Sequence, residues 1–399
     1  MMRTLDCAAS TALPPGLPLA ASAGTRPLRI LLLATGLRLG GAERQVMALA
    51  QRYAELGHAV RVVSLTDGVE VAPGAGVELA SLAMRKTPWS FAAALWRLRR
   101  LVRAWRPDVV HSHMIHANLL ARALASVGGM PLPICTAHSY REGGAASMLA
   151  YRLSDRWSRL TTHVGAEGRD RMVALRAAPA DRIVVVPNGI DTMRFQPDPA
   201  ARRAARQALG LADGERLVMH VGRLVAEKAQ ARLIDAFALA CPGDGMRLLI
   251  AGGGPLRDAL QRRIDAAGLR ERALLLGPRG DIPALLNAAD LFVLSSDIEG
   301  MPLVIGEALA CGCPVVSTDA AGVAAIAGAH ARIVPRGDTA ALAAAIAQML
   351  PAGRGDEAAQ AARHRHVATT LGLDGIAGQW LALYRQYALG AGEAGVEPA

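Results

Sequence analysis

The chain has 399 residues, of which 52% are hydrophobic, 20% charged and 4% aromatic. This length and apolar content predict two or three domains with sizeable cores and exclude a mainly disordered chain. The 41 glycines follow no triplet repeat and the 5 cysteines form no Cys-x-x-Cys pair, which excludes collagen-like and disulfide-scaffold proteins. With 44 basic and 34 acidic residues the net charge is +10, so phosphates, acidic lipids or nucleic acids are candidate partners.

The first 27 residues lack the pattern of a folded element. Arg3 followed by Cys7–Gly24 weakly resembles a secretory signal, but three prolines and Asp6 interrupt the apolar run. A disordered tail over 1–27, or a start codon placed too early, is the favoured interpretation. No stretch of about 18 residues is apolar and free of proline and charge, so no transmembrane helix is predicted.

From Leu28 onward, short apolar runs alternate with helical segments. Leu28–Ala34 has the composition of a strand buried on both faces of a parallel sheet. The spacing of Val46, Leu49 and Tyr53 predicts a helix over Ala42–Leu56. Further strands are predicted at Val60–Leu65, Val109–His111, Ile134–Thr136 and Ile183–Val186.

The alternation stops after Pro187 and then restarts. Asn188–Pro199 is rich in Pro, Asn and Asp, and a helix is predicted at Ala200–Leu209. The final helical stretch, Gly375–Ala388, has an apolar face but no following strand, so we expect it to pack back onto a domain. The second set of strands is predicted at Leu217–Val221, Arg247–Ala251, Ala273–Leu276, Leu291–Leu294 and Pro314–Ser317.

This pattern predicts an α/β fold of two Rossmann-like, doubly wound parallel-sheet domains that face a cleft. The N-terminal domain is placed at 28–196 and the C-terminal domain at 197–374, with the boundary near 196–200, and a helix and tail follow at 375–399. Ligands of open parallel sheets bind beyond the carboxyl ends of the strands, so the chemistry should lie in the loops that follow the strands.

Gly40 and Gly41 lie in the first such loop, Gly36–Arg44. Paired glycines let a ligand approach the backbone, and the next helix offers unpaired N–H groups to a phosphate. A glycine turn that serves packing alone is the alternative. The spacing is not Gly-x-Gly-x-x-Gly and no acidic residue follows at the expected distance, so dinucleotide binding is disfavoured.

Arg223 and Lys228 bracket the loop after the strand Leu217–Val221. Two cations at a strand end and a helix start repel each other unless an anion lies between them. A diphosphate would gain charge-assisted hydrogen bonds from both. Two solvated cations near Glu227 are the alternative.

Glu299 and Glu307 follow the fourth strand of the second set. Glu307 comes eight positions after Glu299 and is expected about two turns into a helix that begins near Pro302, where proline is tolerated. The carboxylates could accept hydrogen bonds from sugar hydroxyls, while free N–H groups of Leu303 and Val304 face a phosphate. Simple helix capping by Glu299 is the alternative, and it leaves Glu307 unexplained.

Four histidines fall near strand ends of the first domain. The spacing of His111, His113 and His116 suggests zinc, but His116 lies beyond the strand and no nearby acid completes a ligand set. No metal site is therefore predicted. His138, which follows the strand Ile134–Thr136, is the better polar or acid–base candidate.

Together these residues carry a resemblance. From about Leu28 to Tyr387 the chain resembles the retaining glycosyltransferases of family 4, which have the two-domain GT-B fold. The most specific element is Glu-x7-Glu, Glu299 to Glu307, in EGMPLVIGEALACGCPVVSTD. The segments GGAERQVMALA, VVVPNGIDTMRF and LLGPRGDIPALLNAADLFVLSS are also similar to that family.

The resemblance implies a role for each matching residue. Arg223 and Lys228 would hold the donor diphosphate and stabilise the departing nucleotide. Glu307 would bind the nucleotide ribose, and Glu299 would lie beside the donor sugar. The other implied residues are Gly40 and Gly41 over the phosphates, Arg279 and Ile282 beside the nucleobase, the backbone of Met301, Leu303 and Val304 near the donor, and His138 near the reacting carbon.

Two positions depart from the family pattern. Ala229 stands where many relatives have Gly or Asn, and Ala320–Ala329 lacks an acidic residue that is common there. No Asp-x-Asp motif occurs, so a reaction that needs neither a divalent metal nor a cofactor is predicted. The family implies front-face displacement with retention, in which the leaving phosphate helps to take the acceptor proton.

Trp89–Arg106 combines three of the five tryptophans with five arginines. A basic amphipathic helix of this kind could rest on anionic lipid. An ordinary Rossmann helix with its arginines in water is equally open, because Arg99 and Arg100 interrupt the apolar stripe. Nucleic acid is disfavoured, since no recognition motif accompanies the charge.

The resulting prediction is a metal-independent, retaining hexosyl- or N-acetylhexosaminyltransferase. It would move a sugar from a UDP- or GDP-linked donor, with UDP favoured, to a glycan or lipid-linked acceptor in bacterial polysaccharide biosynthesis. We expect it in the cytoplasm, peripheral on the inner face of the plasma membrane. The alternatives are a GT-B nucleotide-sugar epimerase and a catalytically silent nucleotide-sugar-binding partner of a membrane assembly.

Overall fold

The structure is a computed structural model that describes residues 26–37, 40–70, 74–85, 87–140 and 142–388. The chain divides into two compact units. Unit 1 contains the chain up to Pro187 and from Asp374 onward, and unit 2 is Asn188–Leu373. Each unit has a parallel sheet with helices, which confirms the predicted fold class. The tail predicted at 1–27 lies outside the described residues except for its last two.

Unit 1 is built on a parallel sheet whose seven strands are β1 (Arg29–Ala34), β2 (Ala59–Ser64), β3 (Val77–Ser81), β4 (Val109–His113), β5 (Ile134–Ala137), β6 (Leu160–His163) and β7 (Ile183–Val185). Their spatial order within the described chain is β3-β2-β1-β4-β5-β6-β7. The helices are α1 (Gly41–Glu55), α2 (Pro88–Trp105), α3 (Ile115–Ser126), α4 (Ala145–Ser154) and α5 (Ala166–Ala174).

Unit 2 contains the helices α6 (Pro199–Ala208), α7 (Gln230–Ala240), α8 (Arg257–Ala266), α9 (Ile282–Ala288), α10 (Leu303–Ala310), α11 (Val323–Ala327), α12 (Thr339–Met349) and α13 (Glu357–Leu371). Its strands are β8 (Arg216–Val221), β9 (Met246–Ala251), β10 (Ala273–Gly277), β11 (Leu291–Leu294), β12 (Val315–Thr318) and β13 (Ala331–Val334). The sheet order is β10-β9-β8-β11-β12-β13.

Apolar side chains cover both faces of the unit 2 sheet. Leu217 and Met219 of β8 belong to one hydrophobic cluster, whereas Val218 belongs to the cluster on the other face. Successive side chains of a strand point to opposite faces, so a strand buried on both faces has a continuous apolar sequence. This is why most strands could be recognised from short apolar runs.

Three strands were not predicted from the sequence: β3, β6 and β13. β3 and β13 are edge strands with exposed positions, so their sequences are not continuously apolar. β6 is fully buried but reads Leu-Thr-Thr-His, and its polar side chains are accommodated by hydrogen bonds such as Thr136 Oγ1 to Thr162 Oγ1 at 2.7 Å.

The chain returns to unit 1 through α14 (Leu373–Leu383) and a π-helical turn, Tyr384–Ala388. The hydroxyl of Tyr384 lies 2.6 Å from His111 Nδ1 and 3.3 Å from the hydroxyl of Tyr53. The ring of Trp380 packs 4.3 Å from that of His111. These buried contacts fix the last helical segment on α1 and β4. None of the described helices is both long and apolar enough to cross a bilayer.

Candidate functional site

In unit 2, the loop after β8 carries Arg223. Its guanidinium is exposed and forms no ion pair with the residues that the structure describes. The backbone of the loop is held firmly, because the buried Gln230 donates through Nε2 to the Arg223 carbonyl at 2.8 Å. The backbone at Arg223 is therefore held in place, while its guanidinium is exposed and can contact an anion.

Two glycines after β9 allow a second loop to pack against this one. A Cβ on Gly252 would lie 1.9 Å from the Gly222 carbonyl oxygen, and one on Gly254 would lie 2.5 Å from the Leu224 carbonyl oxygen. The N–H of Leu224 donates to the Gly253 carbonyl at 2.9 Å. Only glycine permits this backbone-to-backbone contact, which explains the Gly252–Gly254 triplet.

Lys228 and Glu299 form a close ion pair. The Nζ atom lies 2.6 Å from Oε1 and 2.7 Å from Oε2 of Glu299, whose side chain is 7% exposed. The structure thus pairs two residues for which the sequence predicted separate roles. Glu299 does not cap α10, since Pro302 occupies the N-cap position and no side chain caps that helix. Lys228 is also not the solvated cation of the alternative interpretation.

The loops that carry this pair are tied together along their backbones. Ser295 donates from Oγ to the Lys228 carbonyl at 2.9 Å, and the Asp297 N–H donates to the Glu227 carbonyl at 2.8 Å. Arg232 adds an ion pair with Asp297 at 2.6 Å. Lys228 and Glu299 are consequently held in fixed proximity at the carboxyl edge of the sheet.

Glu307 is the fifth residue of α10, about one turn into the helix. The predicted position, about two turns into the helix, is wrong because the helix starts at Leu303 and Glu307 follows that residue closely. Its side chain is 8% exposed. Gly306 lets α10 pack closely against Ile190, since a Cβ at position 306 would lie 2.1 Å from Ile190 Cδ1.

The backbone at the start of α10 differs from the prediction in one respect. The N–H of Leu303 donates to the Met301 carbonyl at 2.9 Å, so it is not a free donor. Val304 is the second residue of the helix, where an N–H has no acceptor within the helix. The Met301 sulfur accepts from the Asn188 N–H at 3.2 Å, which fixes the turn.

Arg279 and Ile282 follow β10. Arg279 pairs with Asp281, with Nε 2.8 Å from Oδ1, and both side chains are substantially exposed. Ile282 begins α9 and its side chain is buried in the core of unit 2. Its side chain is therefore not accessible to a ligand.

In unit 1, Gly40 is the N-cap of α1 and Gly41 its first residue. Gly40 has an extended backbone and its carbonyl accepts from the Arg44 N–H at 3.1 Å. The preceding residues 38 and 39 lie outside the described residues. The predicted phosphate-binding loop therefore does lead directly into a helix N-terminus.

His138 follows β5 and is hydrogen-bonded to a second histidine. Its Nε2 lies 3.1 Å from Nδ1 of the buried His113, which lies on β4. Burial, and next the nearby His163, lower the pKa of His138 to about 3. The imidazole is therefore neutral near pH 7 and acts as a hydrogen-bonding group.

The three histidines that suggested zinc do not form a metal site. His111 uses both ring nitrogens on protein partners, Tyr384 at 2.6 Å and Thr136 at 2.6 Å, and His116 is exposed. Across the part of the chain that the structure describes, no cluster of three or more His, Cys, Asp or Glu has the arrangement of a metal site.

Two family models match successive parts of the chain. Residues 39–194 match Glycosyltransferase Family 4, and residues 201–365 match Glycosyl transferases group 1. Among solved structures, Anabaena HepE in complex with UDP has a TM-score of 0.75 at 23% identity and covers 90% of this chain and 100% of its own. The chain has the GT-B fold, and its domain content is that of a glycosyltransferase.

Characterised relatives of this glycosyltransferase act on varied substrates. UDP-Gal:alpha-D-GlcNAc-diphosphoundecaprenol alpha-1,3-galactosyltransferase of Escherichia coli is 28% identical over 56% of this chain, and the match spans 60% of that enzyme. The 2-deoxystreptamine N-acetyl-D-glucosaminyltransferase of Streptomyces fradiae is 29% identical over 82% of this chain and 84% of its own. D-inositol 3-phosphate glycosyltransferase of Nocardia farcinica is 36% identical over 55% of this chain, but only 48% of that enzyme is matched.

Sequence reasoning on this glycosyltransferase missed two polar residues beside the site. Gln230 carries no motif, and only its burial next to the Arg223 carbonyl gives it a role. Glu142 lies four residues after His138 and is 6% exposed, but it was not among the predicted site residues. Its position shortly after β5 could have marked it as a candidate site residue from the sequence alone.

Proposed function

We propose that the protein transfers a sugar, with retention, from a nucleoside diphosphate sugar to a glycan or lipid-linked acceptor. UDP is favoured over GDP as the nucleotide, and bacterial polysaccharide assembly is the proposed setting. The observation that carries the proposal is the Lys228–Glu299 pair, with the unpaired Arg223 guanidinium on an adjoining loop of unit 2.

The proposed donor chemistry begins with an exchange of partners. A diphosphate would draw Lys228 from Glu299 and would also gain the Arg223 guanidinium, because both give charge-assisted hydrogen bonds to phosphate oxygens. Glu299 would then accept from donor-sugar hydroxyls, and Glu307 from the ribose. As the glycosidic bond breaks, the two cations would stabilise the growing negative charge of the leaving nucleotide without a divalent metal.

His138 enters this proposal as a neutral hydrogen-bonding residue near the reacting carbon. Its pKa, lowered to about 3 by burial, disfavours a role in accepting the acceptor's proton near pH 7. The leaving phosphate would take that proton instead. Gly40 and Gly41 would approach the phosphates, and Arg279 and the backbone at Ile282 would border the base.

The relatives support a uridine nucleotide and a diphosphate-linked acceptor. The solved structures of Anabaena HepE contain UDP, UDP with glucose, and UDP-glucose. The name of the E. coli relative gives UDP-galactose as the donor and a diphosphoundecaprenol-linked sugar as the acceptor. A peripheral location on the cytoplasmic face of the membrane would suit an acceptor of this kind.

Helix α2 supports a membrane-facing surface. Trp89 is 85% exposed and Trp96 is 57% exposed, and Arg100 stacks 4.7 Å from the Trp96 ring. Exposed tryptophans beside arginines are typical of surfaces that rest on anionic lipid. The double variant W89S/W96S should lose binding to phosphatidylglycerol vesicles but keep nucleotide binding. Equal vesicle binding by the variant would contradict this part of the proposal.

The test of the donor site is a thermal-shift panel with UDP, GDP, ADP and their sugar conjugates, each with EDTA or magnesium. A ligand at about 100 times its Kd adds about 2.7 kcal/mol to the free energy of unfolding. We expect one nucleotide to stabilise the protein equally in both conditions, and K228A to abolish the shift. R263Q, which breaks an exposed ion pair between Arg263 of α8 and Asp235 of α7, is the matched control and should keep the shift.

Turnover of the stabilising nucleotide sugar separates the three functions. Transfer needs an acceptor, an epimerase would convert the donor alone, and a silent partner would bind without turnover. The anomeric configuration of the product, read by NMR, tests retention. Absence of binding by every nucleotide, or binding only with magnesium, would contradict the proposed donor chemistry.

A further inference from the structure

Glu142 is a buried carboxylate in the loop after β5. Its Oε2 accepts from the Ser139 N–H at 3.1 Å, and the nearby N–H groups of His138 and Ile115 favour the ionised form of the carboxylate. Ile115 is the first residue of α3. The carboxylate therefore connects the His138 loop to the start of the helix that follows β4. Its partners are N–H and O–H groups rather than a cation.

A buried chain of hydrogen bonds supports Glu142 from behind. The Tyr151 hydroxyl on α4 lies 3.5 Å from Glu142 Oε1 and accepts from Asn118 Nδ2 at 2.8 Å. Asn118 also donates to the Thr136 carbonyl at 2.9 Å and accepts from Ser112 Oγ at 2.7 Å. Side chains of α3, α4 and β4 thus fix the position of Glu142 before any ligand binds.

The loop is held from its other side by histidines. His113 Nδ1 lies 3.1 Å from His138 Nε2, and His163 Nε2 lies 3.2 Å from the Ser139 carbonyl oxygen. Ser139 is thus bonded on its N–H by Glu142 and on its carbonyl by His163. Removing the Glu142 carboxylate would leave its N–H partners without their acceptor, and the loop would shift to find others.

We propose that Glu142 is a positioning residue, which holds the backbone of the loop after β5 and thereby keeps His138 in place at the carboxyl edge of the unit 1 sheet. The inference rests on the proposed function, in which His138 lies near the reacting carbon. Glu142 acts through His138 and does not itself touch substrate.

The raised pKa of Glu142 means that the pH dependence of kcat can test the proposal. Burial raises the pKa of Glu142 to about 7, although its backbone hydrogen bonds act in the opposite direction. Protonation would turn one oxygen from an acceptor into a donor and weaken the hold on the loop. The titratable and charged groups that face Glu142 or its partners are Tyr151 from α4, Arg122 from α3, Cys135 from β5, His113 from β4, His163 from β6 and His138 from its own loop.

The experiment compares E142A and E142Q with the wild type in kcat, donor KM and the pH dependence of kcat. E142A should lower kcat by about tenfold or more, because small misplacements of catalytic groups are costly. The donor KM should stay within about twofold, since the two cations proposed to hold the donor diphosphate lie in unit 2. E142Q, which keeps one acceptor oxygen and resembles the protonated carboxyl, should recover part of the lost activity, up to the kcat of the wild type at low pH. We expect the kcat of the wild type to fall below about pH 7, and E142Q should lack this fall.

D155N is the matched control. Asp155 is another buried carboxylate of unit 1, paired with Arg182 at 2.7 Å, but it lies before β6 at the opposite edge of the sheet. Its variant should reduce stability and leave the pH profile unchanged. Hydrogen exchange of the 138–144 segment should speed up in E142A but not in D155N, and this readout does not depend on activity.

Two results would overturn the positioning role. One is a kcat and a loop exchange rate in E142A equal to the wild type. The other is an E142Q pH profile identical to the wild type. Either would leave the proposed function standing if K228A still abolished donor binding. If the wild type shows neither donor binding nor turnover, the proposed function fails, and the exchange measurement alone decides whether Glu142 fixes the loop.

Discussion

Breaking the Lys228–Glu299 pair is the sharpest test of the unit 2 site. K228M removes the cation and leaves the Glu299 carboxylate, 7% exposed, without its ammonium partner. Losing one partner of a fully buried pair costs about 3–5 kcal/mol. Because the Lys228 side chain is 20% exposed, water reaches the pair, and we expect the lower value of about 2–3 kcal/mol.

A double-mutant cycle separates the pair from its surroundings. E299Q alone leaves a lysine that can turn to solvent, so its cost should be about 1 kcal/mol. The double variant K228M/E299Q buries no unpaired charge and should fall within about 1 kcal/mol of the wild type. The coupling energy is then about 2 kcal/mol, whereas the exposed Arg263–Asp235 pair should give below about 0.5 kcal/mol.

Differential scanning calorimetry is the assay, because two units can melt separately. K228M should lower only the transition that bound nucleotide raises, by roughly 4–12 °C for a unit of this size. A K228M transition within 1 °C of the wild type, or additive single variants, would refute the reasoning. It would mean that the Glu299 carboxylate is satisfied without Lys228.

Three further predictions concern backbone and charge. Ala229 has φ +48°, a left-handed conformation that favours glycine, so A229G should raise or preserve the melting temperature, with a gain of up to about 1 kcal/mol. G252A should cost at least about 2 kcal/mol or weaken nucleotide binding, seen by calorimetry and titration, because its Cβ would meet the Gly222 carbonyl. Burial lowers the pKa of His138 to about 3 and that of His220 to about 4, so the unfolded chain binds more protons below pH 6.5 and stability should fall as the pH drops from 6.5 to 4. Melting temperatures that stay flat over that range would contradict it.

The left-handed Ala229 also explains a departure seen in the sequence. The resemblance to family 4 implies Gly or Asn at this position, and both residues tolerate positive φ better than alanine does. The turn between the 3₁₀ segment that ends at Lys228 and α7 requires that conformation whatever residue occupies it. The departure therefore changes the strain of the turn and leaves the position of Lys228 intact.

The sequence by itself determined the fold class and the residues most worth testing. Apolar runs between helical segments specify strands buried on both faces, and such strands are recognisable because every position is apolar. Edge strand β3 and the polar strand β6 were not predicted, because neither is continuously apolar. β3 has exposed positions, and β6 has buried polar side chains that form hydrogen bonds. The Glu-x7-Glu element and the two cations were visible because they follow predicted strands, where ligands of parallel sheets bind.

Only the tertiary structure decided which of these residues meet. Lys228 and Glu299 are 71 positions apart, and their pairing follows from the parallel packing of β8 beside β11. The same holds for Glu142, whose partners Ile115 and Tyr151 come from two helices that the sheet brings together. Side-chain pairing and pKa shifts depend on burial and on distances between distant parts of the chain, and no local pattern encodes these.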